Sequence, residues 1–291
     1  MLADGRRLHL QDGPIDIVAQ AFGDEREVEA AYRAATTRFI GVLDELCGEL
    51  EFLRQASSGQ GELPSGVIAR RMATAVAPYA STTFITPMAA VAGAVAEEIL
   101  LAMTSAAKLS RAYVNDGGDI AFHLAQGERF VLGMVERPDQ TSLFGTSTIL
   151  SVDSIRGIAT SGWRGRSFSL GIADAVTILA ESASMADAAA TVVANAVDLT
   201  GHPAVGRVAA FELAPDSDLG NRFVTQSVGE LAPDEIREAL DAGVRVAQTL
   251  CGCGLIRAAA LRLQGQTRVV GVDHRLELTE AAIQNGRSVH A

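Results

Sequence analysis

Positive charge is scarce in this chain. Its 291 residues carry 24 Lys and Arg against 35 Asp and Glu, for a formal net charge of −11. A nucleic-acid phosphate surface needs clustered basic side chains, so this balance disfavours one and no nucleic-acid partner is expected. An anionic ligand must instead be held locally, by backbone N–H groups, a few arginines or a metal. Uninterrupted apolar runs are missing as well. The longest, residues 87–103, is broken by Glu97 and Glu98, which is too short and too charged for a membrane span. The opening MLADGRRLHLQDGP has two arginines but no continuous apolar core of a secretory signal, and a cytoplasmic location is expected.

Cysteine is also sparse. Cys47, Cys251 and Cys253 form an odd set without metal-type spacing, which suits a reducing compartment, and the Cys251/Cys253 pair reads as two small structural residues. His9, His123, His202, His274 and His290 are scattered, with no two at metal-ligand spacing. No G-x-S-x-G elbow, P-loop or strand-linked G-x-G-x-x-G is present.

What is abundant is apolar content, 48 % of residues, enough for a large buried core. Apolar residues at steps of three and four predict one amphipathic helix over 27–53. Small-residue helices are predicted over 88–103, with Glu97 and Glu98 on its exposed edge, and over 185–197. A longer helix is predicted over 233–250, where Pro233, Asp234 and Glu235 suit the first turn. Strands are predicted over 111–114, 120–124, 130–136, 146–152, 157–160 and 175–179, with a closing hairpin of 255–263 and 267–272 around QGQT. Residues 55–66, QASSGQGELPSG, read as a mobile loop. Helices separated by consecutive strands indicate an α+β fold with largely antiparallel sheets, a single domain over 1–291 with a hint of two similar halves.

Three stretches could carry chemistry. In VNDGGDIAFHL, Gly117 and Gly118 permit positive φ or close backbone approach to a ligand, with Asn115 and Asp119 beside them; the same letters also suit a two-residue hairpin turn. In RGIATSGWRGRSFSLG, Thr160, Ser161, Gly162, Ser167 and Ser169 offer hydroxyl and backbone donors, Arg164 and Arg166 add charge, and Trp163 adds a flat ring. An exposed turn with solvated arginines is the competing reading. In SMADAAATVVANAVD, Asp187, Thr191 and Asn195 share a helix face, and the acid and hydroxyl one turn apart suit a hard cation such as Mg2+. Against this stand a dipole role for the Asp and back-bonding of the Thr.

Taken in order, a small-residue helix, NDGGDI, ATSG and ADAAAT resemble the ApbE-like superfamily, most closely its UPF0280 (DUF375-type) branch. The resemblance implies tandem T-fold-like halves. It also implies a cleft where Asn115, Gly117, Gly118 and Asp119 line a dinucleotide site. Thr160, Ser161 and Gly162 would approach its phosphate or flavin side, and Asp187 and Thr191 would hold Mg2+. FAD is the cofactor it implies, with movement of FMN onto a protein Thr or Ser as the family activity. The chain departs from the transferases in lacking the H-x-x-D-P-x-T-G segment after T-S-G, and Ala92 stands where a Lys would precede Gly93.

Three functions are therefore expected to compete. The first is Mg2+-dependent binding of FAD or a related phosphorylated nucleotide, with phosphate transfer or hydrolysis. The second, implied by the UPF0280 resemblance, is an enzyme of sulfur assimilation towards homocysteine, or another small-molecule hydrolase or transferase. The third is a non-catalytic cofactor-binding partner of a redox system, its small-residue helices serving packing in a homo-oligomer.

Overall fold

The computed structural model describes residues 1–61, 63–135, 143–271 and 276–278. The elements in chain order are β1 (Leu8–Asp12), β2 (Ile15–Phe22), α1 (Glu25–Phe39), α2 (Val42–Gly48), α3 (Leu50–Leu53), α4 (Val67–Val76), α5 (Val91–Ala106), β3 (Arg111–Asp116), β4 (Asp119–Leu124), β5 (Arg129–Val135), β6 (Leu143–Leu150), β7 (Gly157–Ser161), β8 (Ala175–Ala180), α6 (Ala183–Ala196), β9 (Val205–Ala209), α7 (Ala210–Leu213), β10 (Phe223–Val228), α8 (Pro233–Gly252), β11 (Ala258–Leu263), β12 (Gln266–Val270) and β13 (Leu276–Leu278). The strand pairs with assigned register are all antiparallel. The fold is α+β, as the pattern indicates. The chain divides into two compact units, the first made of Met1–Phe130, Ile149–Ala159 and Ala180–Ala188, the second of Val131–Thr148, Thr160–Leu179 and Ala189–Ala291.

In the first unit the strands run β1-β2-β3-β4, with the start of β7 beside β4. The alternation of Ile15, Ile17, Ala19 and Ala21 buries one face of β2, a period-2 pattern that makes the β1–β2 hairpin. Ala112, Val114 and Ala121 carry no bulk, so α5 packs directly on β3 and β4. On α5 itself Ala94, Val95, Ala96, Ile99 and Met103 are fully buried, each larger side chain worth roughly 1.5–3 kcal/mol of transfer free energy. Helix α1 and helix α4 also pack on α5. Contrary to expectation from Glu97 and Glu98, the stretch Pro87–Ala106 is long and apolar enough to cross a membrane by length and composition alone, because the helix runs past Met103. Here it is packed among α1, α4, β3 and β4.

Its two acids are not on an exposed edge, contrary to expectation. Glu98 is buried and accepts from Arg38 Nε at 2.6 Å and Arg71 Nη1 at 3.2 Å, while Glu97 meets Arg71 Nε at 3.0 Å. Arginines from α1 and α4 thus neutralise a charged pair that the sequence places in an apolar helix. The predicted helix over 27–53 is also broken. Ile40 is extended and Gly41 takes φ of +87°, which ends α1 and restarts the chain as α2 and α3. Loop 55–61 is held at Ser57, whose N–H donates to Ile85 O at 2.8 Å.

In the second unit β8 pairs with β11, and β11 turns into β12 through Gln264 and Gly265, both at positive φ, as QGQT suggests. All six residues of β8 are buried, apolar but for Thr177, a pattern that needs cover on both faces. Helix α8 packs on β11 and β12. At its start Glu235 Oε2 accepts the Ala232 N–H at 2.7 Å, which closes the first turn behind Pro233. The β9–β10 ribbon was not legible as strands, being short and only half-buried.

Candidate functional site

The NDGGD stretch is a two-residue hairpin turn. Asp116 and Asp119 are paired across β3 and β4, Gly117 and Gly118 take φ of +64° and +116°, and the Gly118 N–H donates to Asn115 Oδ1 at 2.8 Å. Both glycines are exposed. Turn geometry accounts for the glycines and for Asn115. It does not account for the acids that the turn brings together.

Asp116 is buried, and its Oδ1 accepts the Asp16 N–H at 3.3 Å. Asp187, in the first turns of α6, comes into the same electrostatic neighbourhood. Its Oδ2 accepts the Gly93 N–H at 3.0 Å, and the Ala92 N–H bonds to it as well. These are first-turn amides of α5, which has no cap from its own Ala90. Burial, then the negative charges of Asp119 and Asp116, push the Asp187 carboxyl well above the usual carboxylate range, and the two amide hydrogen bonds oppose them only in part.

Helices α5 and α6 cap each other. Glu97 Oε1 on α5 accepts the N–H of Ser184 at 2.6 Å and its hydroxyl at 2.8 Å, at the start of α6. The exchange requires near-contact of backbones. A Cβ on Gly93 would lie 2.3 Å from Ala183 O, and one on Gly157 would lie 2.2 Å from Ala183 N. In the sequence Gly93 stands out as a small residue and, by resemblance, as the glycine after Ala92, and Asp116 as part of the turn. Gly157 gave no signal, because its demand lies on an element distant in sequence.

In the second unit the TSGWRGRSFS stretch is ordered by Asp174, which the sequence reading passed over. Asp174 is buried. Its Oδ1 accepts from Trp163 Nε1 at 3.2 Å and Arg164 Nε at 3.0 Å, and its Oδ2 from the Gln264 N–H at 2.5 Å. Gly162 is packed so tightly that a Cβ would fall 2.4 Å from Asp174 O. The Arg164 guanidinium lies 4.3 Å from the centre of the Trp163 ring. Thr160 and Thr177 share a hydroxyl hydrogen bond at 2.9 Å. Ser161 is half-buried, and Arg166 and Ser167 are exposed.

Ser169 and Asn195 serve the loop itself. Ser169 is buried, its hydroxyl donates to Asn195 Oδ1 at 3.3 Å and accepts the Gly171 N–H at 3.2 Å, and Asn195 Oδ1 also takes the Leu170 N–H at 2.9 Å. Asn195, grouped with Asp187 and Thr191 by helical spacing, therefore has a structural task. Thr191 sits half-buried one turn beyond Asp187 on α6.

Among the described residues no three His, Cys, Asp or Glu side chains form a metal-ligating group. His9 bonds to Asp16 at 2.7 Å and His202 to Glu235 at 2.9 Å, while His274 and His290 lie outside the described residues. The three cysteines are free thiols, and burial pushes the Cys251 thiol up.

The order of these elements has a counterpart in a known family. A family model described as AbpE bacteria matches residues 1–269. The chain belongs to this family. Curated relatives are UPF0280 proteins: one from Methanosarcina acetivorans is 38 % identical over 187 residues, covering 63 % of this chain and 70 % of that protein. One from Methanopyrus kandleri is 36 % identical over 129 residues, covering 44 % and 48 %, and one from Methanococcoides burtonii is 39 % identical over 122 residues, covering 42 % and 49 %. The chain thus spans about half the length of the last two. Among solved structures it is similar to the apo form of Pseudomonas stutzeri flavinyl transferase ApbE, at 11 % identity and a TM-score of 0.46, covering 96 % of this chain and 97 % of that one. An ApbE protein from Thermotoga maritima is similar at 14 % identity and a TM-score of 0.40, covering 97 % and 100 %. Within this AbpE family member, the acids and glycines of the first unit and the Asp174-ordered loop of the second hold the residues that the motif order singles out.

Proposed function

We propose that the protein binds a phosphorylated nucleotide, FAD or a close relative, together with Mg2+. The observation that carries this reading is the placement of Asp187, whose Oδ2 is held by the Gly93 N–H at 3.0 Å and whose carboxylate is made costly by desolvation and by the charges of Asp119 and Asp116. A divalent cation would offset that cost. Hard oxygen donors suit Mg2+, which keeps several waters, so the carboxylate of Asp187 and the hydroxyl of Thr191 one helical turn away would suffice as protein ligands. When bound, the ion would neutralise phosphate charge and polarise phosphorus.

The chain's own residues supply the remainder. Asp187 is oriented by the Gly93 N–H, which fixes one of its oxygens. In the second unit Arg164 and Ser167 are exposed and Ser161 is half-buried, on the same stretch as Thr160, Gly162 and Arg166, and Trp163 offers an aromatic edge. In the first unit Asn115, Gly117, Gly118 and Asp119 form the exposed hairpin end. Family membership supports a flavin-related ligand. Transfer of FMN to a protein hydroxyl is not part of the proposal, since the H-x-x-D-P-x-T-G segment is absent. A serine-based hydrolase gains no support: among the described residues no histidine or lysine bonds Ser161, Ser167 or Ser169, and Ser169 is engaged with Asn195.

Thermal unfolding with FAD, FMN and ADP, each with and without Mg2+, tests the reading. A ligand at a hundredfold its Kd stabilises the native state by about 2.7 kcal/mol, so a Mg2+-dependent rise with FAD or ADP is expected. No rise with any of the three would contradict it.

A further inference from the structure

Arg164 is an exposed arginine that is not free to move. Its side chain is 39 % exposed, whereas that of its partner Asp174 is 4 % exposed. The Nε atom is tied to Asp174 Oδ1 at 3.0 Å, and the guanidinium is stacked on Trp163 at 4.3 Å. Trp163 is itself fixed twice, by Nε1 to the same Asp174 oxygen at 3.2 Å and by its backbone N–H to Ala173 O at 3.0 Å. Gln264 N–H occupies the other Asp174 oxygen at 2.5 Å. A surface arginine usually gives up rotamer entropy when it binds. Here most of that loss has been taken in folding, and the Nη1 and Nη2 groups have no protein acceptor among the described residues. Those two groups form the edge of the guanidinium that binds oxyanions in bidentate fashion.

We propose that the Nη edge of Arg164 is a pre-set receptor for one oxyanion of the ligand, and that buried Asp174 is the positioning residue that aims it. For the identity of the ligand this rests on the nucleotide reading above; the receptor itself needs only a phosphate or carboxylate. Asp174 touches no ligand. It acts through Arg164 and Trp163, and Gly162 is the residue that lets the loop come close enough for it to do so.

The chain has a single tryptophan, so its emission reports on this plate alone. Wild-type protein is titrated at low ionic strength with inorganic pyrophosphate and, separately, with malonate, which distinguishes a phosphate from a carboxylate source. A saturable change in Trp163 emission is expected with at least one of them. Arg164→Gln should abolish the response and lower the melting temperature, because buried Asp174 loses its counter-charge, and Arg164→Lys should weaken the response while keeping that charge. Asp174→Asn, which keeps a single acceptor oxygen for the Trp163 side, turns an NH2 toward the Gln264 N–H and loses the charge that pins Arg164, should raise the apparent Kd about tenfold, the size of one charge-assisted hydrogen bond. A purely structural Asp174 would lower the melting temperature and leave Kd unchanged, and that result would overturn the positioning role. If Asp174→Asn does not fold, Arg164→Gln decides: a response equal to wild type overturns the receptor. A Mg2+-dependent ADP shift that survives Arg164→Gln unaltered would sink this inference and spare the nucleotide reading. An Arg164-dependent response to pyrophosphate or malonate, without any nucleotide shift, would do the reverse.

Discussion

The Gly93 N–H donates to Asp187 Oδ2 across 3.0 Å, joining residues 94 positions apart. The bond makes one carboxylate serve two ends: it caps α5, and it stands in the field of Asp116 and Asp119. Replacing Asp187 by Asn keeps an acceptor for the amide and removes the repulsion. The metal-free Asp187→Asn protein is expected to melt about 2–4 °C higher than wild type, the shift that roughly 1 kcal/mol produces in a chain of this size. Asp187→Ala, which loses the cap as well, is expected to melt lower.

The same group sets a pH dependence. Because the folded-state pKa of Asp187 is raised, the native state holds a proton that the unfolded chain has released. Its contribution to stability is full below the ordinary carboxylate range and is lost as pH rises from there through the raised pKa. Melting temperatures measured across that window should fall for wild type and flatten for Asp187→Asn.

Glu98 has the opposite sign. Burial works against its charge, but the hydrogen bonds and charges of Arg38 and Arg71 outweigh it and hold the carboxyl below its usual range. The stability this contributes is present above the unfolded carboxylate pKa and lost as pH falls through the lowered one. Glu98→Gln should therefore lessen acid sensitivity while lowering stability at neutral pH. The cost should lie somewhat below the roughly 3–5 kcal/mol of breaking a fully buried pair, since both arginines keep some solvent.

Glycines divide into two kinds by what a methyl group would meet. At Gly93 and Gly157 it would strike the backbone around Ala183, and alanine there should cost about 1–3 kcal/mol or more in overpacking. At Gly118 nothing lies within 4 Å and only the positive φ is strained, so Gly118→Ala should cost about 1–2 kcal/mol. Chemical denaturation of the three variants checks the order.

The sequence shows most of the secondary structure, because α5, α6, α8 and the β3–β4 and β11–β12 hairpins are written in local periodicity and turn letters. It shows less where partners are distant. Nothing local says that Gly41 breaks the first helix, that Arg38 and Arg71 reach Glu98, or that Gly157 must admit the start of α6. NDGGD was legible as an unusual turn, but the consequence of its acids for Asp187 is a tertiary fact. Asp174 was hidden for the same reason. A single acid at the head of an apolar strand reads as a boundary until Trp163, Arg164 and Gln264 are seen to converge on it.

Asp187 is the proposed seat of a divalent cation. Isothermal titration of Mg2+ into the metal-free protein at neutral pH, in wild type and Asp187→Asn, tests this most directly. A saturable heat in wild type that disappears in the variant is the predicted result; equal binding in both, or none in wild type even with ADP present, would contradict it.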